Sequence, residues 1–109
     1  MNRQQLVDHL VASRIAGDVA TPRSSNIANI TKMLDRQWDY HFGIELDREW
    51  TPETVLKVLA DRVGMDPDYG RAEGADRIDP DRTIEALDAA ADLLADAARP
   101  RARILVATG

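Results

Sequence analysis

The residues best suited to chemistry in this sequence lie at the predicted start of its second helix. The residue types there are those that bind anions: Thr21, Arg23, Ser24 and Ser25. A helix N-terminus offers free N–H groups and the positive end of the helix dipole, and a guanidinium adds charged donors. Arg14, near the end of the first predicted helix, can fold back toward the same place. The pattern predicts an anion-binding site, but a hydroxyl-rich helix start also serves as a simple cap.

Self-contained catalytic motifs are absent from the sequence. There is no cysteine, there are two histidines, and no zinc-protease, nucleophile-elbow, P-loop or EF-hand spacing occurs. The last predicted helix carries four carboxylates along one face, which could bind a divalent cation or a basic partner but are explained better as a solvated surface. They are Glu85, Asp88, Asp92 and Asp96. The sequence therefore identifies no catalytic residue and no metal ligand, and it leaves any cofactor unknown.

Length and charge restrict the class of protein. The 109 residues are 44% hydrophobic and 30% charged, which is typical of one globular domain spanning residues 1–109. A net charge of −5 disfavours a nucleic-acid partner. The longest strictly aliphatic run, residues 104–107, is far shorter than the ~20 residues that span a bilayer, and residues 1–17 lack the apolar stretch of a signal peptide. We expect a cytoplasmic protein without a membrane partner.

Apolar residues at spacings of three and four predict four helices. The first covers residues 3–16 and ends at Gly17, and the second starts with Thr21 as cap and fades near residue 40. The third covers residues 52–63 and the fourth residues 80–99, with a surface loop predicted for residues 65–77. The fourth helix is expected to be central to the core through a packing seam. That seam contains Ile84, Leu87, Ala91, Leu94 and Ala98.

The last residues have a different character, because residues 104–107 are a β-favouring aliphatic run followed by Thr108 and Gly109. This resembles a buried parallel strand that leads into a phosphate-type loop. A lone strand needs a partner, so either it pairs with another molecule or the chain is a fragment of a longer protein. The predicted fold is mainly α: a four-helix globule with a single C-terminal β-strand that would enter a parallel α/β sheet in a longer protein.

Several motifs together resemble the N-terminal part of an actinobacterial family of phosphatases. They are RIAG at 14–17 with VAT at 19–21, LDREW at 46–50, IDPDRT at 78–83 and ILVATG at 104–109. The resemblance implies a hydrolase with a further α/β region, in which this chain is a helical cap without a complete catalytic set. The substrate implied is a phosphorylated small molecule.

The same resemblance suggests where a phosphate would bind. Ligands of such sheets sit at the carboxyl ends of parallel strands, which places Thr108 and Gly109 at the mouth of the site. The helical part would then present Arg14, Arg23, Ser24 and Ser25 to the phosphate.

A second function stays open at this point. The chain could be an autonomous helical interaction module that forms a homodimer, either through a seam of Ile84, Leu87 and Leu94 or through the terminal strand. A tight dimer whose last strand pairs across the interface would favour this alternative.

Overall fold

Residues 1–108 are described by the computed structural model of this chain, and helices dominate it. The elements follow in the order α1 (Arg3–Ala12), β1 (Gly17–Pro22), α2 (Arg23–Leu34), α3 (Trp38–His41), α4 (Pro52–Val63), β2 (Ala75–Ile78) and α5 (Pro80–Ala98). The predicted mainly α fold is confirmed.

Residues 1–108 contain five helices rather than four, because the second predicted helix is divided into α2 and α3, and two helices end earlier than predicted. α1 ends at Ala12, and Arg14 follows with a left-handed φ of 56°. α2 ends at Leu34, and Arg36 follows with a φ of 57°, so that α3 forms separately. Helices commonly end on a left-handed residue, but this residue is usually glycine. An arginine in this role gives no sequence signal.

The ends of α4 agree with the prediction. Thr51 caps the helix by accepting a hydrogen bond from the Thr54 N–H, and the Thr54 hydroxyl oxygen accepts one from the Thr51 N–H. Gly64 ends the helix with a φ of 75°. A Cβ at Gly64 would lie 2.8 Å from the Cβ of Asp79, so glycine is required by both conformation and space. Asp79 in turn caps α5, accepting from the Asp81 and Arg82 N–H groups.

A small antiparallel sheet, absent from the prediction, joins the two halves of the chain. β1 pairs with β2 so that Gly17 faces Ile78 and Asp18 faces Arg77. The loop predicted for residues 65–77 is wrong at its end, where residues 75–77 belong to β2. The strand has no recognisable apolar pattern, because it has four residues and its buried position is the charged Asp76. The predicted Thr21 cap is also wrong. Thr21 belongs to β1, and α2 begins without a side-chain cap.

Two clusters of apolar residues form the core. One joins α1 to α5 through Leu10, Ala16 and Ile84, and the other joins α2 to α4 through Ile30, Leu56 and Met65. A central place for α5 in the core is not observed, because Ile84 is its one buried residue. The 19 residues of α5 make a helix about 28 Å long, and it contacts α1 and α4. Leu87, Leu93 and Leu94 beyond Ile84 are exposed.

The terminal residues form no strand within the described part of the chain. Residues 102–108 have neither helical nor strand structure, and Leu105 is 95% exposed. A strand requires an edge with which to exchange hydrogen bonds, and the β1–β2 sheet does not pair with this segment. Its entry into a sheet of a longer protein stays a prediction. Within residues 1–108, no helix combines the length and hydrophobicity needed to cross a membrane.

Candidate functional site

The residues predicted to bind an anion are dispersed in the structure. Arg14 lies in the turn after α1, Thr21 is exposed in β1, and Ser24 and Ser25 lie in the first turn of α2. Thr108 lies in the exposed terminal segment, and Gly109 lies outside the described residues. No hydrogen bond or ion pair among residues 1–108 joins Arg14 or Thr108 to the start of α2. The anion-binding role of these residues stays a prediction.

Arg23 is placed inside the fold rather than at its surface. Its side chain is fully buried, and Nη1 donates to Asp76 Oδ1 at 2.9 Å. Nη2 donates to the Asp68 carbonyl oxygen at 2.8 Å, and Nε donates to the Arg71 carbonyl oxygen at 3.0 Å. All three nitrogens of the guanidinium are therefore engaged by protein acceptors. A ligand could reach Arg23 only if some of these bonds broke.

The buried carboxylate of Asp76 completes this network. It accepts hydrogen bonds from Arg23 and, at 2.8 Å, from Asn26 Nδ2, while Arg71 Nη2 lies 3.7 Å away. Arg71 also pairs with Asp66 and donates to the Glu73 carbonyl oxygen. Two arginines thus balance two aspartates, and a buried charge is tolerated when it is paired in this way. The cluster joins α2 to β2 and to the segment that precedes β2. Its role is therefore structural.

A pH-dependent part of the stability is expected from Asp66 in this network. The Asp68 N–H, which donates to Asp66 Oδ1 at 2.9 Å, and the bond from Arg71 lower the pKa of Asp66 below its ordinary value. A lowered pKa in the folded state stabilises the fold at pH above the unfolded value of about 3.9. That contribution is lost as the pH falls through the lower folded value.

The Asp66→Asn variant tests this expectation. Its melting temperature should lie below that of the wild type at neutral pH, by no more than about 4–8 °C because the pair is partly exposed. The difference should shrink as the pH falls below about 4. Asp88→Asn, at an exposed position of α5, is the control and should show no such trend. A difference that stays constant down to acid pH would contradict the assignment.

A second polar group of residues lies on the outer face of the sheet. A cavity of about 450 Å³ there is lined by Val11, Arg14, Gly17, Asp18, Arg77 and Pro80. Arg77 was not among the predicted residues, because its place beside Arg14 depends on the pairing of β1 with β2. The sequence of Ala75–Ile78 does not alternate between apolar and charged residues, because Asp76 and Arg77 are adjacent, and four residues are too few to be recognised as a strand.

The carboxylates of α5 are the residues of this sequence that could bind a cation. Within residues 1–108 no group of three or more histidine, aspartate or glutamate side chains is arranged so that it could hold a metal ion. Glu85, Asp88 and Asp92 are exposed, as expected of a solvated helix face.

Comparison with known proteins identifies the family. The family model described as Phosphatase matches residues 1–109. Phosphatase SCO2771 of Streptomyces coelicolor is 44% identical over 109 residues, an alignment that covers 99% of this chain and 42% of the relative. The chain therefore spans less than half the length of this curated relative. No solved structure matches it. The resemblance inferred from the sequence motifs is confirmed, and the chain belongs to the Phosphatase family.

Proposed function

We propose that residues 1–109 are the helical N-terminal part of a phosphatase-like protein, which docks on the remaining polypeptide and contacts the phosphate of a phosphorylated small molecule. In this proposal the groups that cleave the phosphate ester come from the remaining polypeptide. The chain contributes cationic contacts, among them Arg14, because a guanidinium binds phosphate oxygens with charge-assisted hydrogen bonds. Such contacts also stabilise charge that develops during hydrolysis.

The observation that carries this proposal is the apolar surface of α5 and of the segment after it. Large apolar side chains are exposed there in succession: Leu87, Leu93, Leu94, Ile104, Leu105 and Val106. Leu87 and Leu94 are seven residues apart and so lie on one face of α5, and exposed apolar side chains grouped in this way usually mark an interface. The curated relative is more than twice as long as its matched part, since this chain covers 42% of it. Further polypeptide of the same protein is therefore the occupant that we propose for this surface.

A chimaera tests the docking. The matched part of the Streptomyces coelicolor relative is replaced by residues 1–109, and amide hydrogen exchange is compared with that of residues 1–109 alone. Exchange in residues 87–106 should slow markedly in the chimaera, because burial removes these amides from water. The chimaera should hydrolyse p-nitrophenyl phosphate, and residues 1–109 alone should not.

Leu94→Asp in the chimaera should reverse the protection of residues 87–106. Burying a leucine is worth about 1.5–3 kcal/mol, so the change should favour the open state by about 10-fold to 100-fold. Ile44→Asp is the matched control, because Ile44 is 59% exposed and Leu94 is 56% exposed. Equal exchange in the chimaera and the isolated chain, or hydrolysis by residues 1–109 alone, would contradict the proposal.

The homodimer module is the competing function, because the same exposed leucines could pair between two copies. Sedimentation of residues 1–109 at low and high protein concentration separates the two. A concentration-dependent dimer that Leu94→Asp disrupts favours the module. A monomer at both concentrations favours docking on the rest of a phosphatase-like protein.

A further inference from the structure

We propose that the cavity between the α1–β1 turn and the outer face of the sheet binds a small phosphate monoester, with Arg14 and Arg77 as the phosphate ligands. The inference rests on the proposed function, since it assigns the phosphate contact to specific residues. The proposed phosphate site lies on the outer face of the sheet and not at the start of α2, because Arg23 there is engaged inside the fold. The sequence did not indicate this surface.

The pairing of the two strands brings Arg77 to this surface. Side chains alternate between the two faces of a strand, and in β2 Asp76 is buried while its neighbour Arg77 is exposed. Asp18 is the direct cross-strand partner of Arg77 and is exposed as well, between the buried Gly17 and Val19. The inner face of the sheet thus holds the ion pair of Asp76, and the outer face holds Asp18 and Arg77.

The turn after α1 places Arg14 at the same cavity. The Arg14 N–H donates to the Val11 carbonyl oxygen at 3.0 Å, and the Ile15 N–H donates to the Leu10 carbonyl oxygen at 3.0 Å. This turn brings the Arg14 side chain back onto β1, where Nη2 donates to the Val19 carbonyl oxygen at 3.2 Å. One guanidinium nitrogen is thereby anchored to the backbone. The anchored group has further N–H donors with which to bind an anion.

The charge of the cavity favours an anion. Among residues 1–108, no carboxylate lies within 4.0 Å of Arg14 or Arg77, in contrast to Arg3, Arg23 and Arg71. Arg62, Arg101 and Arg103 also lack such a partner, but none of them lines this cavity. Two guanidinium groups and the carboxylate of Asp18 give a local net charge of +1, in a chain whose net charge is −5.

The size and the walls of the cavity indicate the class of ligand. Its volume of about 450 Å³ lies within the usual range for small-molecule sites and far exceeds what a phosphate ion needs. Val11 and Pro80 line the cavity together with the two arginines. A phosphate held by the guanidinium groups would leave the organic part of the ester against these apolar side chains. This arrangement fits a small phosphate monoester better than inorganic phosphate.

An NMR titration of residues 1–109 with phenyl phosphate and with inorganic phosphate tests the assignment. The Nε–H signals of Arg14 and Arg77 should shift, and phenyl phosphate should bind more tightly than inorganic phosphate. Arg14→Ala and Arg77→Ala should each weaken phenyl phosphate binding about 10-fold, because each removes a charged hydrogen-bond donor. Asp18→Asn should strengthen it about fivefold, because it removes a nearby negative charge.

Arg103→Ala is the matched control, since it removes the same charge outside the cavity and should leave binding unchanged within about twofold. Arg77→Lys, which retains the charge but not the guanidinium fork, should bind phenyl phosphate better than Arg77→Ala and less tightly than the wild type, and its comparison with the wild type stays informative if the alanine variant folds poorly. Unchanged binding in Arg77→Ala, weaker binding in Asp18→Asn, or equal binding of the two ligands would overturn the proposal. The titration does not involve the surface of α5, so its failure leaves the docking experiment unaffected.

Discussion

Replacing Asp76 by alanine is expected to lower the free energy of unfolding by about 3–5 kcal/mol. The substitution leaves the fully buried guanidinium of Arg23 without its carboxylate, and it also removes the acceptor of Asn26. An uncompensated buried charge is among the most costly defects in a protein interior. Since domains of this size are stable by about 5–15 kcal/mol, the variant should retain a small margin of stability. Denaturant-induced unfolding followed by circular dichroism measures the change.

The double variant Arg23→Met with Asp76→Leu is the control for that prediction. It removes both charges and keeps similar volumes, so it should be considerably more stable than Asp76→Ala. Arg23 also donates to the Asp68 and Arg71 carbonyl oxygens, and the loss of these two bonds should keep the double variant below the wild type. If Asp76→Ala alone costs less than about 1 kcal/mol, the pair is not buried as described.

Replacing Leu56 by alanine is expected to cost about 2–5 kcal/mol. Leu56 has no exposed surface, and it lies with Ile30 and Met65 in the cluster that joins α2 to α4. The cost combines the lost burial of the side chain with a cavity that its neighbours cannot fully close. Thermal and denaturant unfolding of the two proteins give the difference.

Leu94→Ala makes the same chemical change at a position that is 56% exposed. In residues 1–109 it should alter the free energy of unfolding by less than about 0.5 kcal/mol. Comparable losses at Leu56 and Leu94 would mean that α5 is buried along its whole length, against the structure.

The helices were largely predictable because their signals are local. Thr51 with Pro52 before an apolar stripe, and Gly64 after it, specify α4 through contacts that reach no further than about four residues. Asp79 and Pro80 do the same for the start of α5. The prediction was less accurate where a helix ended on an arginine, as at Arg14 and Arg36, because the left-handed conformation there is favoured by surrounding contacts and not by the residue type.

The candidate site was predictable only in part. Arg14 was predicted to fold back from the end of the first helix toward the start of α2, whereas in the structure it lines the same cavity as Arg77. Arg23 was identified by its charge at the start of α2, yet its side chain is buried against Asp76. Buried and exposed arginines look alike in a single sequence, so charge alone could not separate these two roles.

The family and the mainly helical architecture followed from the amino-acid sequence alone, since motifs, caps and apolar spacing depend on neighbouring residues. The pairing of β1 with β2 did not, because it joins segments more than fifty residues apart and rests on a buried Arg23–Asp76 ion pair and not on an apolar pattern. That pairing determines which arginines are buried and which face the cavity. It is therefore folding in three dimensions that separates the structural guanidinium of Arg23 from those of Arg14 and Arg77 at the surface.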